Sequence, residues 1–174
     1  MEKDVVGAGS RWIPQAEYDL IQSRVPIVCA DLLVLSAHHE PAVGLILRDT
    51  YDNQQGWCLI GGSVLRDEPI TSAVTRHLKA TLGSNFHLDV SAARMCGVVE
   101  YFSKPKIGEF YDPRKHAVAI TFAAPCLGDP EPQGEAIDFK WFRQSELADL
   151  QFGFGQGRVV EGALAGVIGI SFWK

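Results

Sequence analysis

The stretch from Gly61 to Gly83 restricts the fold of this chain more than any other: a glycine pair is followed by one amphipathic helix signal that stops on a glycine. Ile70, Ala73, Val74, Leu78 and Leu82 recur at the three- and four-residue spacing that lines up side chains along one helix stripe. Pro69 suits a first turn, where its missing N–H costs nothing, and Gly83 suits the stop. On either side of this segment the pattern becomes that of strands. Pro26 to Ser36 (PIVCADLLVLS) is almost continuously apolar and rich in branched side chains. Gly44 to Thr50 follows after a polar turn at His38, His39, Glu40 and Pro41, so the two runs read as paired strands.

The remaining elements follow the same logic. Ile13-Pro14 opens a short helix over Gln15 to Ser23, with Tyr18 and Ile21 on one side. Asp52 to Gly56 is a turn, Trp57 to Ile60 a short strand, and Gly61-Gly62 a break. Val90 to Ser103 contains the strand-like MCGVVEYF, and Ala117 to Ala124 is a further strand. Between them runs a polar, aromatic loop, Lys104 to His116, long enough to carry function. After the turn Asp129 to Glu135, Ile137 to Phe142 reads as an edge or half-buried strand and Arg158 to Val167 as a terminal helix. This order predicts an α+β protein with a mixed sheet between helical layers. With 174 residues and 47% hydrophobic content, the chain has material for one core. The expectation is a single domain over 1–174, with a helical extension at 1–25 and a helix and tail at 156–174.

A net charge of -5 speaks against a nucleic-acid partner, since phosphate binding needs a concentrated basic surface. No segment resembles a secretion signal or a membrane span, so a cytoplasmic protein acting on a small molecule is expected, alone or as a homodimer. Cys29, Cys58, Cys96 and Cys126 match no zinc or CxxC spacing and read as reduced core residues.

The segment GWCLIGGSVLRDEPITSAVTRHLKATLG resembles the Nudix box, with Gly62, Glu68, Arg76, Leu78 and Gly83 in register and no insertion or deletion. Members of the Nudix hydrolase superfamily act on nucleoside diphosphates linked to another moiety. The resemblance implies an α/β/α sandwich and extends over roughly Pro26 to Leu150. Within the family, GGSVLRDE together with Arg48 and Arg76 is most similar to the GDP-mannose mannosyl hydrolases. The box glutamates that bind the catalytic metal correspond to His77, Ala80 and Thr81, and the mannosyl hydrolases' general-base histidine to Ala136. Magnesium prefers hard oxygen ligands, so a magnesium cofactor is admitted by the family and disfavoured by these residues. Glu68 is the remaining metal candidate, weighed against an ion pair with Arg76 that would brace the loop on the helix.

Candidates for chemistry are His116, Glu100 and Glu135 as acid or base. Arg48, Tyr101, Tyr111 and Arg76 are candidates for substrate binding. Alternation places Glu100 and Tyr101 on opposite faces of their strand, so only one can enter a given pocket. Three functions are open at this level: a nucleotide-derivative hydrolase, a metal-independent enzyme using acid–base chemistry in a biosynthetic pathway, and a non-catalytic ligand-binding module.

Overall fold

A computed structural model of the chain describes residues 13–37, 42–51 and 53–166. The expected turn at His38 to Pro41, the N-terminal residues 1–12 and the tail 167–174, with the end of the expected terminal helix, lie outside the described residues.

The apolar run after Pro26 becomes β1 (Ile27–Ser36), the middle of the molecule, because a strand buried on both faces needs no polar alternation. One of its edges pairs in parallel with β8 (Ala117–Gly128) along its full length, Ile27 opposite Ala117 through Ser36 opposite Cys126. The other edge is shared. Val34 and Leu35 pair antiparallel with β2 (Ala42–Asp49), while Cys29 to Leu32 pair with β4 (Ile60–Ser63). β3 (Gln55–Cys58) and β9 (Asp138–Arg143) both add to β2. β5 (Phe86–Leu88) and β6 (Arg94–Phe102) add to β8, and β7 (Phe110–Tyr111) adds to β6. The result is one mixed sheet of nine strands among the described residues.

The leading helix α1 spans Gln15–Gln22. The helix of the glycine-bounded segment, α2, spans Ile70–Leu82 with Pro69 as its N-cap and Gly83 as its C-cap at φ 82°. It buries Ala73, Val74, Leu78, Thr81 and Leu82 against the sheet. Near the end of the described residues, α3 (Gly157–Leu164) turns Val159, Val160 and Ala163 inward. No helix among the described residues is long and apolar enough to cross a membrane.

Gly61-Gly62 is not a break but the interior of β4. Neither glycine has a positive φ, so they serve space rather than conformation. A Cβ on Gly61 would run into Asp31 Oδ1 and the Ala30 carbonyl oxygen, and one on Gly62 would lie 2.6 Å from His77 Cε1. The loop Lys104 to His116 is less irregular than its composition suggests, because β7 anchors its middle on β6.

Candidate active site

Strand periodicity sends Cys29 and Asp31 of β1, Ala117 and Ala119 of β8, and Tyr101 of β6 to one face of the sheet. These residues floor a cavity of about 350 Å³. Its walls come from Gly61 to Ser63, from His77, Ala80 and Thr81 of α2, from Arg48, Cys58 and Leu59, from Gly134 and Glu135, and from two distant segments through Asp112, Arg114 and Lys115 and through Phe154 and Gln156.

Asp31 and Asp112 are the buried carboxylates of this site, at 7% and 5% exposure, and they differ in what holds them. The Asp31 carboxylate enters no side-chain hydrogen bond or ion pair among the described residues. Burial pushes its pKa up to about 7, against the pull of Lys115 and Arg48 and with a further push from Glu135. The cations around it are arranged unequally. Arg48 Nη1 pairs with Glu135 Oε2 at 2.6 Å, and Arg114 holds Asp112 through two side-chain bonds of 2.8 Å. Lys115 Nζ donates to the Tyr18 hydroxyl at 3.4 Å.

The Phe152 to Gln156 segment folds back onto the site from the far end of the chain. Phe152 bridges to Trp57, and Gln156 Oε1 accepts the Leu59 N–H at 2.8 Å. A Cβ on Gly153 would stand 2.5 Å from Cys58 Sγ, so only glycine permits this approach. Phe154 is buried with φ 55°, a conformation costing a non-glycine residue about 1–3 kcal/mol. Its ring meets two guanidinium groups, Arg114 at 4.7 Å and Arg48 at 5.8 Å.

Of the residues expected at the site, Arg48, Glu135 and Tyr101 line the cavity. Glu100, Tyr111 and His116 do not. Glu100 pairs with Val118 on the opposite face of the sheet, where its carboxylate lies 3.6 Å from His116 Nε2. His116 stacks on Phe102, and Tyr111 packs edge-on against Tyr51. The alternation that admits Tyr101 therefore turns Glu100 and His116 away. Arg76 and Glu68 also lie outside the cavity and hold each other, with Arg76 Nε 2.7 Å from Glu68 Oε1 and Nη2 2.8 Å from Oε2. Glu68 also accepts the Leu65 N–H, and Arg76 donates to the Ser63 carbonyl. The arginine's hydrogen bonds hold the Glu68 pKa down at about 2.

Sequence reading passed over Asp31, although a lone carboxylate in an otherwise apolar strand was its signal. It passed over Asp112, Arg114 and Lys115, which stand as a charged cluster just before β8. Phe154 and Gln156 carried no local signal.

The resemblance implies a metal at positions 77, 80 and 81. Those positions present an imidazole, a methyl and a buried hydroxyl, and His77 Nε2 is engaged with the Ser63 carbonyl at 3.1 Å. Burial lowers the His77 pKa. No cluster of three or more His, Cys, Asp or Glu side chains able to hold a metal occurs among the described residues. This donor set does not fit a magnesium ion.

Comparison with solved structures places the fold. The structure is similar to a protein from Jonesia denitrificans described as a possible asymmetric diadenosine tetraphosphate hydrolase, with 28% identity, a TM-score of 0.70, and coverage of 82% of this chain and 95% of that one. It is similar to the MutT Nudix hydrolase of Burkholderia pseudomallei, with 26% identity, a TM-score of 0.61, and coverage of 82% and 98%. The Nudix domain of Shewanella oneidensis NrtR, solved with ADP-ribose, shares the fold at 19% identity and a TM-score of 0.62, over 88% of this chain and 98% of that one. Among curated proteins, the low-salt glycan biosynthesis protein Agl8 of Haloferax volcanii is 32% identical over 110 residues, 63% of this chain. The chain spans 65% of the length of that relative. The model of the family described as "Domain of unknown function (DUF4916)" matches residues 8–169. The chain belongs to the DUF4916 family, and its fold is that of the Nudix superfamily.

Proposed function

We propose that this chain is a Nudix-fold enzyme that binds a nucleoside diphosphate-linked small molecule and performs acid–base chemistry without a metal, with Asp31 as the group that carries the proton. The observation that carries this reading is Asp31 itself: a carboxylate facing the cavity, unpaired and titrating near neutrality. A general acid or base works best when its pKa lies near the operating pH. Holding an unpaired carboxylate in a buried position costs stability, which a purely structural residue would have no reason to impose.

Arg48, Arg114 and Lys115 supply the positive charge that a diphosphate needs, and the two arginines can bind it bidentately by exchanging their present carboxylate partners. Glu135 is then the carboxylate released from Arg48, free to act as the second proton-transferring group. Glu68 and Arg76 fix the loop before α2 and take no part in chemistry. Agl8, by name a glycan biosynthesis protein, supports a biosynthetic setting. Likeness in fold to Nudix hydrolases supports the class of substrate, while His77, Ala80 and Thr81 argue against metal-assisted hydrolysis.

The test is a panel of nucleotide sugars and nucleoside diphosphate derivatives followed by phosphorus NMR and chromatography, with EDTA or with magnesium. Turnover is expected to be indifferent to EDTA and to fall at least ~100-fold in Asp31→Asn, the scale of a lost general acid or base. Turnover that requires magnesium or manganese, or an Asp31→Asn variant of unchanged rate, would sink the reading. Tight binding with no product from any substrate of the panel would favour the non-catalytic module instead.

A further inference from the structure

The lining of the same cavity holds two polar groups that the Asp31 reading does not employ. Tyr101 is 5% exposed, and its hydroxyl has no hydrogen bond of good geometry. A buried hydroxyl without a hydrogen bond of good geometry costs stability, a penalty that phenylalanine at this position would avoid. Register places the tyrosine on the cavity face: it stands opposite Ala117, and Ala117 opposite Ile27 of β1. The lining residues between it and Asp31 on this face, Ala117, Ala119 and Cys29, are small.

Gln156 completes the arrangement. Its amide orientation is fixed because Oε1 accepts the Leu59 N–H at 2.8 Å, which leaves its NH2 as the group available to the phenol. Gln156 is also the side chain whose hydrogen bonding bears on the Tyr101 hydroxyl. A donor directed at the phenol oxygen leaves the phenol hydrogen free and makes it a stronger donor. Burial and the neighbouring Asp31 raise the Tyr101 pKa well above its ordinary value, so the group stays protonated and donates.

We propose that Tyr101, backed by Gln156, donates a hydrogen bond to a carbonyl oxygen of the substrate while Asp31 removes a proton from the carbon next to that carbonyl. The inference rests on the Asp31 reading and narrows its substrate class to carbonyl compounds bearing an α C–H. In the step, the C–H bond breaks and its electrons form the carbon–carbon double bond. The carbonyl π electrons move to oxygen, and an O–H bond forms on Asp31. Negative charge thus passes across the cavity from Asp31 to the oxygen held by Tyr101, with no change in net charge and no oxidant or reductant. A neutral carbonyl is the ligand oxygen this site accepts best, because a phosphate there would oppose the Asp31 carboxylate. Return of the proton to the substrate oxygen gives the enol, so the net reaction is an isomerisation.

The probe is 4-nitrophenol, whose phenolate mimics an enolate and absorbs visible light, added to the full chain at a pH about one unit below the Asp31 transition so that Asp31 is mainly protonated. The expected result is uptake of the phenolate form, with affinity at least ~10-fold weaker in Tyr101→Phe, as for a lost hydrogen bond to a charged group. Asp31→Asn, which imitates the protonated acid, is expected to bind at least as well as the parent. Tyr101→Phe removes only the phenol oxygen and its contact with the Gln156 amide, so its fold is expected to survive, and circular dichroism checks this. Equal affinity of parent and Tyr101→Phe, no binding, or binding of neutral nitrophenol alone would overturn the carbonyl site. The Asp31 carboxyl signal, followed by carbon-13 NMR, separates the two claims. An ordinary carboxylate transition would remove the Asp31 reading itself, whereas a transition near neutrality with binding indifferent to Tyr101 removes only the carbonyl site.

Discussion

Asp31 ties stability to pH in a direction opposite to that of most carboxylates. Burial raises its pKa from 3.8 to about 7, so the folded chain holds this proton more tightly than the unfolded chain does. The stability associated with it is fully present below the unfolded value and is lost as pH rises through the folded value. The groups facing Asp31 do not reverse this. Lys115 and Arg48 lower its pKa and Glu135 raises it. Cys29, Cys58 and Tyr101 stay neutral in the window because burial raises each of them, and burial lowers the His77 pKa. Asp31→Asn is therefore expected to be more stable than the parent at pH 8, on the order of 2–4 kcal/mol, with the gain gone at pH 4. Calorimetry at the two pH values measures it, and a difference that does not depend on pH would contradict the assignment.

Between residue and molecule, the unit that organises the site is α2 with the loop before it. The Glu68 side chain is buried against Arg76, which also reaches the Ser63 carbonyl, so one ion pair sets where β4 ends and where α2 begins. Removing one partner strands the other, and Arg76→Ala or Glu68→Ala is each expected to cost about 2–4 kcal/mol. The double variant should cost clearly less than the two together, a coupling that urea denaturation of all four proteins would read; simple additivity would refute the brace. This element was legible in advance because Pro69, the helical spacing and Gly83 are all local signals. The glycines before it were legible only as glycines. That Gly61 makes room for Asp31 and Gly62 for the His77 ring depends on a strand pairing and a helix packing that no local pattern specifies. The same division runs through the site. Arg48 was reachable from its strand end, Tyr101 from alternation and Glu135 from the resemblance, whereas Phe154 and Gln156 arrive through a chain reversal, and Glu100 and His116 lie on the face of the sheet turned from this cavity.

For the molecule as a whole, the fold is the part of the resemblance that the solved structures share with this chain. The structure matches that of the Jonesia denitrificans protein over 82% of this chain, and positions 77, 80 and 81 carry no carboxylate. A ligand that binds only the folded state raises its melting temperature. Millimolar magnesium is accordingly expected to leave Tm within ~1 °C of its value in EDTA, since a cation held at 100 times its Kd would add about 2.7 kcal/mol. A clear rise, followed by scanning fluorimetry, would restore a metal to the site. The parallel pairing of β1 with β8 has a consequence in time as well as in space. Its partners lie at residues 27–36 and 117–126, so the floor of the cavity cannot close until a long intervening loop has been gathered in. Loop closure of that kind slows folding and places such pairings late. Phe154 and Gln156, from still nearer the C-terminus, then dock on a floor that already exists. The cavity is therefore expected to take shape late in folding, after the long-range pairing of its floor.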